Sequence, residues 1–92
     1  MIIAKVTGSV VSTRKMDSLI GNKFMVVEPL SGMRNGGEKI VAVDNIGAGI
    51  GEYVLVTTGS SARVGSNGPD SPVDAAIVGI IDETDSFRNL QK

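Results

Sequence analysis

The chain has 92 residues, a formal net charge of -1, and neither cysteine nor histidine. This length predicts one small domain over residues 1–92, which buries only about 60 to 65% of its unfolded surface and often gains stability by association. The composition excludes disulfides, thiolate metal sites and Ser-His or Cys-His nucleophile pairs, and the scattered Lys and Arg residues predict neither a nucleic-acid nor a membrane partner.

The first segment, residues 2–13, is rich in β-branched residues and predicts a half-buried strand. Period-two alternation places four residues on its inner face, namely Ala4, Val6, Gly8 and Val10. Gly8 inside the strand predicts a β-bulge, a device with which small barrels turn corners.

The start of the chain has no features of a targeting sequence. Residues 1–6 contain only a short apolar run, with no basic region and no cleavage signal, and no run in the chain approaches bilayer-spanning length. A soluble cytoplasmic protein is therefore expected.

Two further strands flank a glycine turn. Residues 23–28 predict the second strand, which Pro29 is expected to stop because proline cannot donate to a ladder. Asn35, Gly36 and Gly37 tolerate positive φ and mark a turn between antiparallel strands. Residues 38–43 then predict the third strand.

A loop of minimal side chains follows, and it has to be tested as a nucleotide site. Its glycines read G-x-G-x-G, with Glu52 at the third fingerprint position, and the next residues favour a strand rather than a helix. Both the spacing and the context of a dinucleotide-binding motif are absent. A tight loop is the better interpretation, in which glycine supplies positive φ or allows another backbone to approach.

The rest of the chain predicts two strands and two short helical segments. The strands cover residues 52–58 and 73–82. A helical turn is expected at residues 60–64, an irregular loop at 65–72, and a short C-terminal helix within residues 84–92.

Five short strands with bends at glycines and little helix predict an all-β fold. The expected architecture is a small five-stranded OB-like β-barrel with the short C-terminal helix. A β-sandwich is the alternative, but it usually needs about seven strands and more residues.

Several segments together resemble a known family, the pentameric vertex proteins of bacterial microcompartments (the EutN/CcmL family of carboxysome and ethanolamine-utilisation shells). Each segment alone is a weak signal, whereas their order and spacing are highly specific. The segments that carry the resemblance are residues 8–15, 19–24, 42–56, 59–63 and 72–82. The chain departs from the family in residues 32–37, which are short and glycine-rich.

The resemblance implies a barrel whose copies close into a homopentamer. Such rings cap the vertices of a polyhedral protein shell in the cytoplasm, and hexameric shell proteins are the implied partners. The implied role is structural, so no enzyme activity, no catalytic residue, no metal and no cofactor is expected.

The resemblance also singles out two sets of site residues. The first is the loop made of Ile46, Gly47, Ala48, Gly49, Ile50 and Gly51. One interpretation is a tight connection between strands, and the other brings five copies near the symmetry axis, where they border a narrow pore. The second set, Ser60, Ser61 and Arg63, is expected at the subunit interface. Arg63 is either a solvated charge of the turn or bonds across this interface.

Two other classes of function remain as alternatives. An OB-fold that binds single-stranded nucleic acid or oligosaccharide needs a basic groove and aromatic platforms, and the only aromatic residues are Phe24, Tyr53 and Phe87. A small hydrolase would have to use Asp44 and Glu52, but no histidine accompanies these carboxylates.

Overall fold

Five strands close into a single β-barrel. The computed structural model describes residues 1–11, 21–33, 36–59, 62 and 73–82. The strands are β1 (Ile2–Val10), β2 (Lys23–Pro29), β3 (Ile40–Asp44), β4 (Tyr53–Thr58) and β5 (Ala75–Ile81). They follow one another around the barrel in the order β1-β2-β3-β5-β4, and β4 completes the closure against β1. The predicted all-β, five-stranded barrel is confirmed.

The strand pairs are antiparallel except for β3 and β5. This parallel seam contains only two Cα pairs, Val43 with Ala76 and Asp44 with Ile77. β3 and β5 can run in the same direction because β4 and its two connections lie between them in the sequence. The barrel is therefore closed on one side by its shortest ladder.

The inner core consists of the side chains that alternate inward from each strand. Cross-strand pairing brings buried Ala4 of β1 opposite buried Val54 of β4, and Val6 opposite buried Val27 of β2. Full burial of one such valine contributes about 1.5 to 3 kcal/mol to folding. The buried members of this core are Ile2, Ala4, Val6, Met25, Val27, Ala42, Ala48, Val54, Val56, Ala75 and Ile77.

A β-bulge in β1 reverses which side chains face inward. The ladder to β2 skips Thr7, because Val6 and Gly8 pair with consecutive residues of β2. After this bulge, Val10 lies opposite Phe24, whose ring packs outside the barrel. The predicted bulge is confirmed, but the prediction that Gly8 and Val10 share the inner face of Val6 is wrong, since an inserted residue shifts the alternation by one.

A smaller apolar cluster covers the outside of the barrel at β2, β3 and β5. Its buried members are Val43, Ala62, Val73 and Ala76, with Phe24 packed against them. Ala62 lies in a helical turn after β4, and its N–H donates to the carbonyl of Gly59 at 3.1 Å. The other residues of the predicted turn, 60–61 and 63–64, lie outside the described residues, as does the predicted C-terminal helix.

The turn between β2 and β3 is held by backbone hydrogen bonds. Pro29 is the last residue of β2, so the predicted end of this strand was one residue short. The Pro29 carbonyl accepts the N–H of Gly37 at 3.1 Å. Position 36 requires glycine, because a Cβ there would lie 2.8 Å from the carbonyl oxygen of Leu30.

In the part of the chain that the structure describes, no helix has the length and apolarity needed to cross a bilayer.

Candidate functional site

The glycine-rich loop between β3 and β4 is built around the side chain of Asp44. This residue ends β3 and is only 3% exposed. Its Oδ1 accepts the N–H groups of Ile46 at 3.0 Å and Gly47 at 3.1 Å, and its Oδ2 accepts the N–H of Ala48 at 2.8 Å. A carboxylate is an acceptor with room for several donors, so one side chain fixes the path of the first half of the loop.

The second half of the loop is fixed by Glu52 and by β1. The Glu52 carboxylate accepts the N–H of Gly49, and the N–H of Glu52 returns to the Gly49 carbonyl at 3.1 Å. Gly51 donates its N–H to the Val6 carbonyl at 2.8 Å, while Val6 donates to the Glu52 carbonyl at 2.9 Å. The loop is thus clamped to β1 directly before the bulge.

Two glycines give the loop its sharp path. Gly47 has φ of 84° and Gly51 has φ of 94°, in the left-handed region that residues with a Cβ rarely adopt. Gly49 has no positive φ, and a Cβ built on it would lie 3.2 Å from the Glu52 carboxylate. Positive φ, expected from the sequence for this loop, is therefore found at its two outer glycines.

The side chains of the loop point in opposite directions. Ala48 is 0% exposed and belongs to the inner core, so its methyl group packs among the inward side chains of the barrel. Ile46 is 48% exposed and Ile50 is 67% exposed. Of the six residues singled out in this loop, the two isoleucines present apolar surface to the outside, and Ala48 does not.

Both acidic side chains around the loop have a structural task. Asp44 and Glu52 each accept backbone N–H groups of the loop, as expected of residues that stabilise a turn. The role of Asp44 was missed in the sequence, although Asp44 and Gly47 form an Asp-x-x-Gly pattern of the kind that marks such a turn. The alternative use of this pair in acid-base chemistry has no support in this arrangement.

The three residues expected at the subunit interface, Ser60, Ser61 and Arg63, lie outside the described residues. Between them, Ala62 is 0% exposed and packs in the outer cluster. Their expected role therefore stays a prediction.

The described aromatic residues do not form a stacking platform for bases. Phe24 packs against the outer cluster at β3 and β5. Tyr53 lies beneath Lys5, whose Nζ is 5.8 Å from the ring centroid, in a cleft of about 420 Å³ that also contains Glu28. The single-stranded nucleic acid alternative needs successive free aromatic faces along a basic groove, and this arrangement does not favour it.

Comparisons with known proteins match the chain over nearly all of its length. The profile of the family described as ethanolamine utilisation protein EutN/carboxysome matches residues 1–82. The microcompartment shell vertex protein PduN of Salmonella typhimurium is 48% identical over 88 residues, which cover 89% of this chain and 96% of PduN. The carboxysome shell vertex protein CcmL of Thermosynechococcus vestitus is 50% identical over 86 residues, covering 89% of this chain and 84% of CcmL.

A solved structure extends the likeness to three dimensions. The pentameric microcompartment shell protein GrpN from Rhodospirillum rubrum superposes with a TM-score of 0.76 at 46% identity, covering 92% of this chain and 96% of that chain. At this identity and coverage, the likeness concerns the whole barrel and not one of its loops.

Proposed function

Since the chain belongs to the ethanolamine utilisation protein EutN/carboxysome family, we propose that it is a structural shell protein whose five copies form a vertex of a bacterial microcompartment in the cytoplasm. The observation that carries this proposal is the sequence identity of 48 to 50%, over 89% of this chain, with proteins named as shell vertex proteins. The likeness to a pentameric shell protein supports the assembly of five copies. The role is to close a container, and not to catalyse a reaction.

The need for such a unit follows from geometry. A flat layer of hexagonal tiles cannot close into a polyhedron unless units of lower rotational symmetry occupy the corners. A ring of five supplies the curvature that a hexamer cannot. Hexameric shell proteins are therefore the partners that we propose around each ring.

Removing this protein from its cell should leave open shells and active enzymes. We expect sheets, tubes or leaky bodies in electron micrographs of a deletion strain, because the corners are missing. Enzyme assays on the lysate should show that the enclosed reactions still run. Normal closed shells together with the loss of one enzymatic step would contradict the proposal, because they would indicate a catalyst.

In solution the protein should form a ring of five identical subunits. A closed ring requires heterologous contacts, in which two different surfaces of each subunit meet its two neighbours. Native mass spectrometry at micromolar concentration should give the five-subunit species. A stable monomer under the same conditions would contradict the ring. Ser60, Ser61 and Arg63 are proposed to contribute to these contacts.

We also propose that residues 46–51 lie beside the five-fold axis. Five copies of any axial residue meet one another, so a charged residue there is repelled by its own copies. Residues 45–51 carry no charged side chain, and the neighbouring Glu52 has its carboxylate bonded to the Gly49 N–H. Each of the other three connections between strands carries three charged residues. The β3–β4 loop is thus the connection best suited to the axis.

A single introduced cysteine tests this placement, because the natural chain contains no cysteine. In a ring, the distance between equivalent residues of neighbours shrinks in proportion to their distance from the axis. Ile50→Cys should therefore be linked into dimers by a short bismaleimide within intact rings. Lys39→Cys, an exposed site before β3, is the control and should remain unlinked. Equal linking of both variants would contradict the placement of the loop beside the axis.

A further inference from the structure

Ile46 and Ile50 are exposed although the loop that carries them is firmly held. Their exposed fractions are 48% and 67%, and neither side chain belongs to the inner or the outer cluster. The loop cannot fold them back onto the barrel, since Asp44, Glu52 and the Val6 backbone fix its path. Two apolar side chains held outward in this way are suited to contact with other molecules or other copies.

Four consecutive backbone N–H groups of the same loop are already occupied. Consecutive backbone N–H groups in a glycine-rich loop can form an anion-binding nest. Here the N–H groups of Ile46, Gly47 and Ala48 donate to Asp44, and that of Gly49 donates to Glu52. The carboxylates of the chain itself thus take the place that an anion would fill. The two isoleucines are then the apolar part of the loop surface, beside the exposed residues Asn45 and Glu52.

We propose that Ile46 and Ile50 of the five copies form an apolar collar around the axis, which admits small uncharged molecules and excludes anions. This inference rests on the axial placement proposed above. A narrow opening lined by apolar side chains loses its water readily, and an anion cannot cross it without losing hydration that the isoleucine side chains do not replace. The occupied amides strengthen the effect, since they offer no replacement for the hydration shell of an anion.

The first test places an ionisable group in the collar. In the ring, a glutamate at position 50 would be desolvated and close to four equal charges, and both effects favour its neutral form. Its pKa in the ring should therefore lie above the ordinary value of about 4.3. The Ile50→Glu ring should therefore be stable at a pH below the ordinary glutamate pKa, and it should lose stability as the pH rises through the raised pKa.

Three variants make this test specific. Native mass spectrometry between pH 4 and pH 8 should show that Ile50→Glu rings dissociate as the pH rises, with a midpoint about 1 unit or more above the ordinary value. Ile50→Gln should show no such dependence, which controls for Asp44 and Glu52 in the same loop. Lys39→Glu, at an exposed charged site before β3, should keep its ring at pH 8. If the Ile50→Glu ring is as stable at pH 8 as at pH 4, the proposal of an apolar collar is wrong.

The second test measures access to the collar directly. Ile46→Cys carries a nitroxide label and is mixed with excess unlabelled protein, so that a ring contains at most about one label. Paramagnetic relaxation should show collisions with dissolved oxygen, and several-fold fewer collisions with the chromium oxalate anion than at a label on Lys39→Cys. Equal access of the anion to both labels would overturn the collar.

The two failures can be told apart. If the unmodified protein forms no five-subunit ring, the proposed function itself fails. If the rings are intact and Ile50→Cys is linked, but the anion reaches the label freely, only the apolar collar fails and the vertex role stands.

Discussion

Replacing Asp44 with alanine should lower the free energy of unfolding by about 2 to 4 kcal/mol. The side chain accepts three backbone N–H groups, and the alanine variant leaves all of them without this acceptor. The N–H groups of Ile46 and Gly47 are partly exposed and can turn to water. The bond to Ala48 is buried, so its loss leaves an unpaired donor inside the protein, which is the costly part.

Urea unfolding of Asp44→Ala and of the unmodified protein at equal concentrations measures this loss. Asp44→Asn should fall between the two, because it keeps one acceptor oxygen but turns a donor towards the loop. Asp74→Asn is the matched control, an exposed aspartate for which a change within about 0.5 kcal/mol is expected. Amide hydrogen exchange at residues 46–48 should accelerate in Asp44→Ala. Unchanged stability and exchange would mean that the carboxylate does not hold the loop.

Replacing Gly51 with valine should destabilise the fold by about 1 to 3 kcal/mol and impair the ring further. Gly51 has φ of 94°, a conformation that a β-branched residue reaches only with strain. If valine moved the backbone to escape this strain, the bond from the Gly51 N–H to the Val6 carbonyl at 2.8 Å would be lost. Either response disturbs the loop that we propose beside the axis, where five copies of the change add together.

Gly49→Ala provides the control for this prediction, because it alters the same loop without the same strain. Gly49 has no positive φ, and an added Cβ meets only the flexible end of the Glu52 side chain at 3.2 Å. We expect a change within about 0.5 kcal/mol and intact rings. Thermal unfolding and native mass spectrometry of both variants decide the matter. Equal effects at the two positions would show that crowding, and not backbone strain, governs the loop.

Much of the barrel could be predicted from residue patterns. Strands of alternating β-branched residues, separated by glycine turns, predict five short strands, and the order of the motifs predicts the family. Gly8 predicted the bulge, but a period of two cannot tell at which residue the alternation shifts. The inner face of β1 beyond the bulge was therefore predicted wrongly for Val10.

The candidate site was harder to predict in detail. A loop has no periodicity, so the sequence does not reveal that Ala48 faces the core while Ile46 and Ile50 face outward. The hydrogen bonds of Asp44 depend on a loop conformation set by Gly47 and Gly51, and they become evident only in three dimensions. The resemblance identified the loop, but not which of its side chains are available.

The two-pair parallel seam between β3 and β5 has a consequence for folding kinetics. Its partners are separated by the whole of β4 and two connections, so closing it requires long-range loop closure with little local gain. With only two Cα pairs, the seam also forms fewer ladder contacts than any other pair of neighbouring strands in the barrel. Asp44 occupies one of the seam's two pairs and also holds the loop. The seam and the loop therefore depend on the same residue, so a change at Asp44 is expected to affect barrel closure as well as the loop.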